Sequence, residues 1–185
     1  MKVASAAADF PSARAPLADR LSEIEAARSW GADEIDAVAD RELFLSGKDH
    51  DAYDELVAYR KASGPALLKV ILETGELKDP TLIRRAALIA MAAGADMIKT
   101  STGKTSPGAT LEAAAVIALA VGDFHRETER AVGLKVAGGI RSADGALAYI
   151  ELLRQILGKQ WLDPALFRIG ASSLLARLVE ELAEA

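Results

Sequence analysis

The chain has 185 residues, 51% hydrophobic and 5% aromatic, with no cysteine and a net charge of −5. That length supports one domain with a real core, here taken as residues 1–185. The negative charge argues against an extended nucleic-acid-binding face. The absence of cysteine excludes a disulfide framework, a thiolate nucleophile and a Cys-based metal site.

The opening Met1-Lys-Val-Ala-Ser-Ala-Ala-Ala has a faintly leader-like character, but Asp9 cuts the apolar run short. No segment reaches membrane-spanning length without a charge, so a cytoplasmic protein without membrane contact is expected. His50 and His125 are the only imidazoles, and both are expected to be solvent-exposed. Lys2 to Ala6 reads as a strand that ends in the turn residues Asp9-Phe-Pro-Ser. Pro16 then opens a helix carrying Leu17, Leu21 and Ile24 at helical spacing, which Gly31 stops. Glu34 to Val38 is a second strand, and a polar helix runs from about Asp51 to Ala62 before Ser63-Gly-Pro65. Leu67 to Leu72 is the clearest strand. Asp79 caps a helix with Pro80 at its first position, and Gly94 ends it. Asp96 to Lys99 is the fourth strand, followed by a long Ala-rich helix from Thr110 to about Glu129. Gly133 to Val136 is the fifth strand, and Ser142 caps the next helix, which Gly158 stops. Leu166 to Ile169 is the sixth strand, and Gly170-Ala-Ser-Ser173 opens the last helix. Strand and helix alternate six times, which specifies a parallel α/β sheet. Closed barrels of this kind need eight such units and usually about 250 residues. An incomplete barrel of TIM type, with six of eight units, is therefore expected.

Lysines interrupt three of these strands, in Leu-Leu-Lys69-Val, Met-Ile-Lys99-Thr and Gly-Leu-Lys135-Val. Parallel strands covered on both faces normally read as continuous apolar runs, so three such lysines suggest a shared polar pocket. Lys99 and Lys135 lie on neighbouring strands, about 4.8 Å apart. Ammonium groups about 5 Å apart repel by roughly 3 kcal/mol at an effective dielectric of about 20, or about two pK units. Together with partial burial, that favours a free amine near neutral pH, the requirement for Schiff-base chemistry. Asp36 is a carboxylate among apolar neighbours. It either pairs with an inward lysine and moves protons through a water or caps the turn that follows.

Glycine and hydroxyl clusters follow the last three strands: Thr102-Gly103-Lys104, Gly138-Gly139-Ile-Arg141 and Gly170-Ala-Ser172-Ser173. Each stands at a strand's C-terminal end, where backbone N–H groups can face an anion at a helix start. Together with the charges of Lys104 and Arg141, they point to a phosphorylated substrate. Glu73-Thr-Gly-Glu76 holds two carboxylates without a third ligand, and no metal is assigned there.

Taken together, these motifs resemble the deoxyribose-phosphate aldolase family of class I barrel aldolases. The matching stretches are Gly31-Ala-Asp-Glu-Ile-Asp36, Leu68-Lys-Val-Ile-Leu-Glu-Thr-Gly-Glu-Leu77, Ile98-Lys-Thr-Ser-Thr-Gly-Lys104, Lys135-Val-Ala-Gly-Gly-Ile-Arg141 and Phe167-Arg-Ile-Gly-Ala-Ser-Ser173. The resemblance implies Lys99 as the Schiff-base lysine, Lys135 as its perturbing neighbour and Asp36 as the proton relay. It places phosphate on Gly103, Lys104, Gly138, Gly139, Arg141, Gly170, Ser172 and Ser173, with Lys69 and Thr102 behind them. The implied reaction is reversible cleavage of 2-deoxy-D-ribose 5-phosphate to D-glyceraldehyde 3-phosphate and acetaldehyde, with no metal or organic cofactor. The chain departs from the family at Val136, where proline or alanine is usual, and it has no C-terminal tyrosine. Met1 falls on the family's third strand, so the first two strand–helix units have no counterpart. An impaired phosphosugar-binding fragment that needs a partner segment, and a transaldolase-like Schiff-base enzyme, remain as alternatives. Open sheet edges lead to the expectation of a homo-oligomer.

Overall fold

A computed structural model describes residues 2–184. Met1, on which the resemblance places the family's third strand, lies outside them. Six strands run in parallel: β1 (Ala4–Ala7), β2 (Glu34–Val38), β3 (Leu67–Ile71), β4 (Met97–Lys99), β5 (Gly133–Ala137) and β6 (Phe167–Gly170). They pair strictly in chain order, β1 to β2 through to β5 with β6. The helices between them are α1 (Leu17–Ser29), α2 (Arg41–Leu45), α3 (Asp49–Ser63), α4 (Thr74–Leu77), α5 (Pro80–Ala92), α6 (Leu111–Thr128) and α7 (Ala143–Leu157), with α8 (Leu174–Glu184) after the last strand. Among the described residues no helix is long and apolar enough to cross a membrane.

Local chemistry sets these boundaries. The side chains of Asp40, Asp79, Thr110 and Ser142 each accept an N–H from the first turn of α2, α5, α6 and α7. The single-turn helices α2 and α4 and the 3-10 turn Lys159–Leu162 are too short to leave a periodic signature in the sequence. Alanines dominate the inner sides of α5 and α6, with Ala86, Ala87, Ala90, Ala114, Ala118 and Ala120 fully buried, so these helices can approach closely.

Alternation along the strands then divides the sheet into two unlike faces. Ile35, Leu68, Val70, Ile98, Leu134 and Val136 point outward into the apolar core beneath the helices. Their sequence neighbours Glu34, Asp36, Lys69, Lys99 and Lys135, together with Arg168 of β6, fall on the other, concave face. The register pairs Asp36 with Lys69 and Lys99 with Lys135. Curvature brings distant strands together across this face: Arg168 on β6 reaches Glu34 on β2 at 3.2 Å. β1 and β6 do not pair among the described residues, so the sheet is a curled open arc.

The open arc leaves space between its end strands. A cavity of about 420 Å³ lies between them, lined by Lys2, Glu34, Lys69, Lys135, Arg168 and Ile169 as well as small residues. Exposed apolar groups lie at Val3 beside β1 and on the outer layer, at Leu147 of α7 and at Leu175, Val179 and Leu182 of α8. His50 is exposed as expected, but His125 is half-buried, its ring edge-to-face with Trp161 at 5.1 Å.

Candidate active site

Asp36 is the hub of the concave face. It is 4% exposed, and its two oxygens serve three lysines. Oδ2 accepts from Lys99 Nζ at 2.8 Å and from Lys135 Nζ at 2.6 Å, while Oδ1 accepts from Lys69 Nζ at 2.8 Å. Lys69 also meets Glu34 at 2.6 Å, and Glu34 meets Arg168, so the charges form a continuous chain from β2 to β6. A charge taken out of water is tolerated only when paired in this way.

These contacts set the protonation states. Burial would raise the Asp36 carboxyl, but Lys99, Lys135 and Lys69 outweigh it and hold it far below the usual carboxylate range. Lys99 is lowered as well, below an ordinary lysine. Burial is the largest cause; Asp36 pulls it back up, while Lys135 and Lys69 push it down. Desolvation therefore does more of the tuning than the lysine–lysine repulsion inferred from strand spacing. The Phe10 ring lies 5.9 Å from Lys99 Nζ, close enough for a weak cation–π contact. Phe10 belongs to the loop after β1, which Asp9 fixes by accepting the N–H groups of Arg14 and Ala15 and the Ser12 hydroxyl.

Above this charge chain, at the C-terminal ends of β4, β5 and β6, is a cavity of about 390 Å³. Lys99 and Lys135 form part of its lining. So do Thr102 and all eight residues expected to hold phosphate: Gly103, Lys104, Gly138, Gly139, Arg141, Gly170, Ser172 and Ser173. Asp36 and Lys69 do not line it; they lie beneath it. The close packing of the loops requires glycine, since a Cβ on Gly108 would come within 2.6 Å of the Gly138 carbonyl. Thr100 joins two of the loops, its hydroxyl donating to the Ala137 carbonyl and accepting the Ala137 N–H. A rim of glycines and hydroxyls, with Lys104 and Arg141 beside it, suits an anion.

Glu34, Glu73, Thr100, Arg168 and Phe10 were not singled out as site residues by the sequence reading. Glu34 and Arg168 carry the same signal as the lysines, a charge at an alternate strand position, and that rule finds them. The Glu73-Thr-Gly-Glu76 pair is no shared site. Glu73 accepts from Thr102, and Glu76 pairs with Arg41 at 2.6 Å.

Residues 1–177 match the DeoC/LacD family aldolase model. The chain is 49% identical over 180 residues to human deoxyribose-phosphate aldolase, covering 97% of this chain and 57% of that protein. It is 47% identical over 176 residues to the enzyme of Agrobacterium fabrum, covering 95% of this chain and 66% of that one. Among solved structures, a candidate deoxyribose-phosphate aldolase from Toxoplasma gondii matches with TM-score 0.88 at 27% identity, covering 100% of this chain and 70% of that one. The tetrameric deoxyribose phosphate aldolase of Aeropyrum pernix matches with TM-score 0.73 at 26% identity, covering 100% and 70%. The chain thus spans little more than half the length of its curated mammalian relatives.

Proposed function

The chain belongs to the DeoC/LacD family of aldolases, and from that premise we propose that it is a class I aldolase. Its reaction is the reversible cleavage of 2-deoxy-D-ribose 5-phosphate to D-glyceraldehyde 3-phosphate and acetaldehyde. The observation that carries this reading is one amine, Lys99 Nζ. It is buried, lowered in pKa, 2.8 Å from Asp36, and at the floor of the cavity lined by the three glycine and hydroxyl loops.

The chemistry follows from that placement. The loops and Arg141 hold the phosphate, so the open-chain aldehyde carbon reaches Lys99. The neutral amine adds to the carbonyl, and loss of water leaves a protonated imine. That cation withdraws electrons from C2. Once the C3 hydroxyl gives up its proton, the C2–C3 bond breaks to an enamine and glyceraldehyde 3-phosphate. Protonation of the enamine and hydrolysis of the imine then release acetaldehyde and restore Lys99. Asp36 takes the C3-hydroxyl proton through a water and returns it to the enamine carbon by the same route; between those steps it is ionised and orders Lys99 and Lys135. Lys135 holds Lys99 down and supplies a proton beside it, and Lys69 keeps Asp36 in place from below. Every step is assigned to side chains of this chain. A single domain over 1–185, acting in the cytoplasm and associating through its sheet edges, completes the reading.

Borohydride reduction with acetaldehyde, followed by peptide mass mapping, tests it. The expected label is on Lys99; label on Lys135 or Lys69 with none on Lys99 refutes the assignment. One observation favours a second reading, in which turnover needs a further segment or a second copy. The β1 and β6 edges are unpaired, and a polar cavity lies open between them. Trapping without turnover of deoxyribose 5-phosphate distinguishes it from the first.

A further inference from the structure

A carboxylate beside a phosphate site repels the ligand, yet Glu73 is held fully buried at the end of β3, directly behind the Thr102–Lys104 turn. Its backbone is left-handed, with φ 52° and ψ 62°, a conformation that L-residues with long side chains rarely adopt. That costly arrangement has a visible product. Glu73 Oε2 accepts both the Thr102 N–H, at 3.2 Å, and the Thr102 hydroxyl. The other oxygen, Oε1, is buried with no hydrogen-bond partner among the described residues, so the contact to Thr102 is its polar anchor.

The Thr102 hydroxyl donates to Glu73 Oε2 and so spends its single proton there. Its lone pairs are then turned toward the Lys104 N–H, which donates to Thr102 Oγ1 at 3.0 Å. The polarity of the relay runs one way, from Lys104 N–H through Thr102 to Glu73, and it fixes the turn. Gly103 sits inside that turn at φ 79°, facing the cavity it shares with Lys104. Thr74, next to Glu73, adds a backbone tie, its N–H donating to the Thr100 carbonyl at 2.9 Å.

We infer that Glu73 is a positioning residue for substrate phosphate, acting through Thr102 on the Gly103–Lys104 turn. The inference rests on the phosphate-site reading above, and its test separates the two. Inorganic phosphate is titrated calorimetrically into the wild-type chain, Glu73→Gln, Thr102→Val, Thr102→Ser and the double variant Glu73→Gln/Thr102→Val. Glutamine keeps the shape of Glu73 but its amide can donate, so the relay loses its fixed direction. Valine removes the hydroxyl at a half-buried turn position, and serine keeps it.

Glu73→Gln and Thr102→Val are each expected to weaken phosphate binding about tenfold, as for one lost charge-assisted hydrogen bond. Thr102→Ser should bind like wild type. The double variant should be no weaker than the worse single one, because both act on one relay. In turnover, the preference for deoxyribose 5-phosphate over unphosphorylated deoxyribose, as a ratio of kcat/KM, should fall by the same factor. Wild type that binds phosphate while Glu73→Gln and Thr102→Val bind equally well overturns the inference alone. Equal losses on both sugars also overturn it, by showing a general structural role. A wild-type chain that binds no phosphate overturns the phosphate-site reading, and this inference with it.

Discussion

Replacing Lys135 with methionine tests how Lys99 is made nucleophilic. Both ammonium nitrogens bond to the same oxygen of Asp36, at 2.8 and 2.6 Å, so they are no more than about 5.4 Å apart. At an effective dielectric of about 20 their repulsion is about 3 kcal/mol, a factor of about a hundred in an acid–base equilibrium. Lys135 is 16% exposed at its side chain, and water screens part of that, so a factor between about ten and a hundred is expected. The sign is fixed. Lys135 disfavours the charged form of Lys99, so its removal raises the Lys99 pKa and leaves less neutral amine at any pH below it. The assay is the rate of imine trapping with acetaldehyde and cyanoborohydride, followed by mass spectrometry across pH. In Lys135→Met the profile should move upward by one to two pH units, with the rate recovering in alkali. Lys99→Leu should abolish trapping at that site at every pH. An unmoved midpoint in Lys135→Met would refute the electrostatic argument and leave burial, with Lys69, as the cause.

Asp36→Asn removes the only carboxylate that Lys99 and Lys135 contact among the described residues, leaving buried cations uncompensated. The urea midpoint should fall by the equivalent of about 3–5 kcal/mol, and an unchanged midpoint would show that the three lysines are already neutral or solvated. The same group predicts an acid limit. Its folded pKa is depressed below the ordinary 3.8, so it stabilises the fold fully above that value and loses this contribution as pH falls below it. Stability measured from pH 6 down to pH 2 should therefore fall more steeply in wild type than in Asp36→Asn. The open edges predict self-association of the isolated chain. Sedimentation should show dimers or larger species, and a stable monomer with turnover equal to that of a longer relative would refute the role given to the edges.

The order of strands and helices was legible because Pro16, Pro80, Thr110, Ser142 and the glycines after α1, α3, α5 and α7 punctuate it with local chemistry. Lys69, Lys99 and Lys135 were legible for a different reason: a charge inside an apolar strand needs an explanation wherever it occurs. What the sequence could not show was the connectivity across the concave face. Nothing local says that Asp36 would divide one oxygen between Lys99 and Lys135 and give the other to Lys69, because that follows from sheet curvature. The same holds for Glu73. As one of two acids in Glu-Thr-Gly-Glu it suggested a metal site to be rejected, and only the packing of β3 against the next loop gives it Thr102 as a partner. Phe10 read as part of a turn, and its place beside Lys99 depends on how the loop folds back over the strand ends.

The contacts that make Lys99 unusual join residues far apart in the chain. Asp36 lies 63 positions before Lys99 and 99 before Lys135, and Glu34 meets Arg168 across 134. Contacts of such long range carry a large loop-closure cost and come late in folding. Until β2, β3 and β5 have joined β4, Lys99 lacks Asp36, Lys69 and Lys135 and is an ordinary solvated ammonium with little free amine to offer a carbonyl. Reactivity is thus withheld from the nascent chain. A chain in synthesis carries the amine in inert form until β5, which brings Lys135, follows β2, β3 and β4 into the sheet.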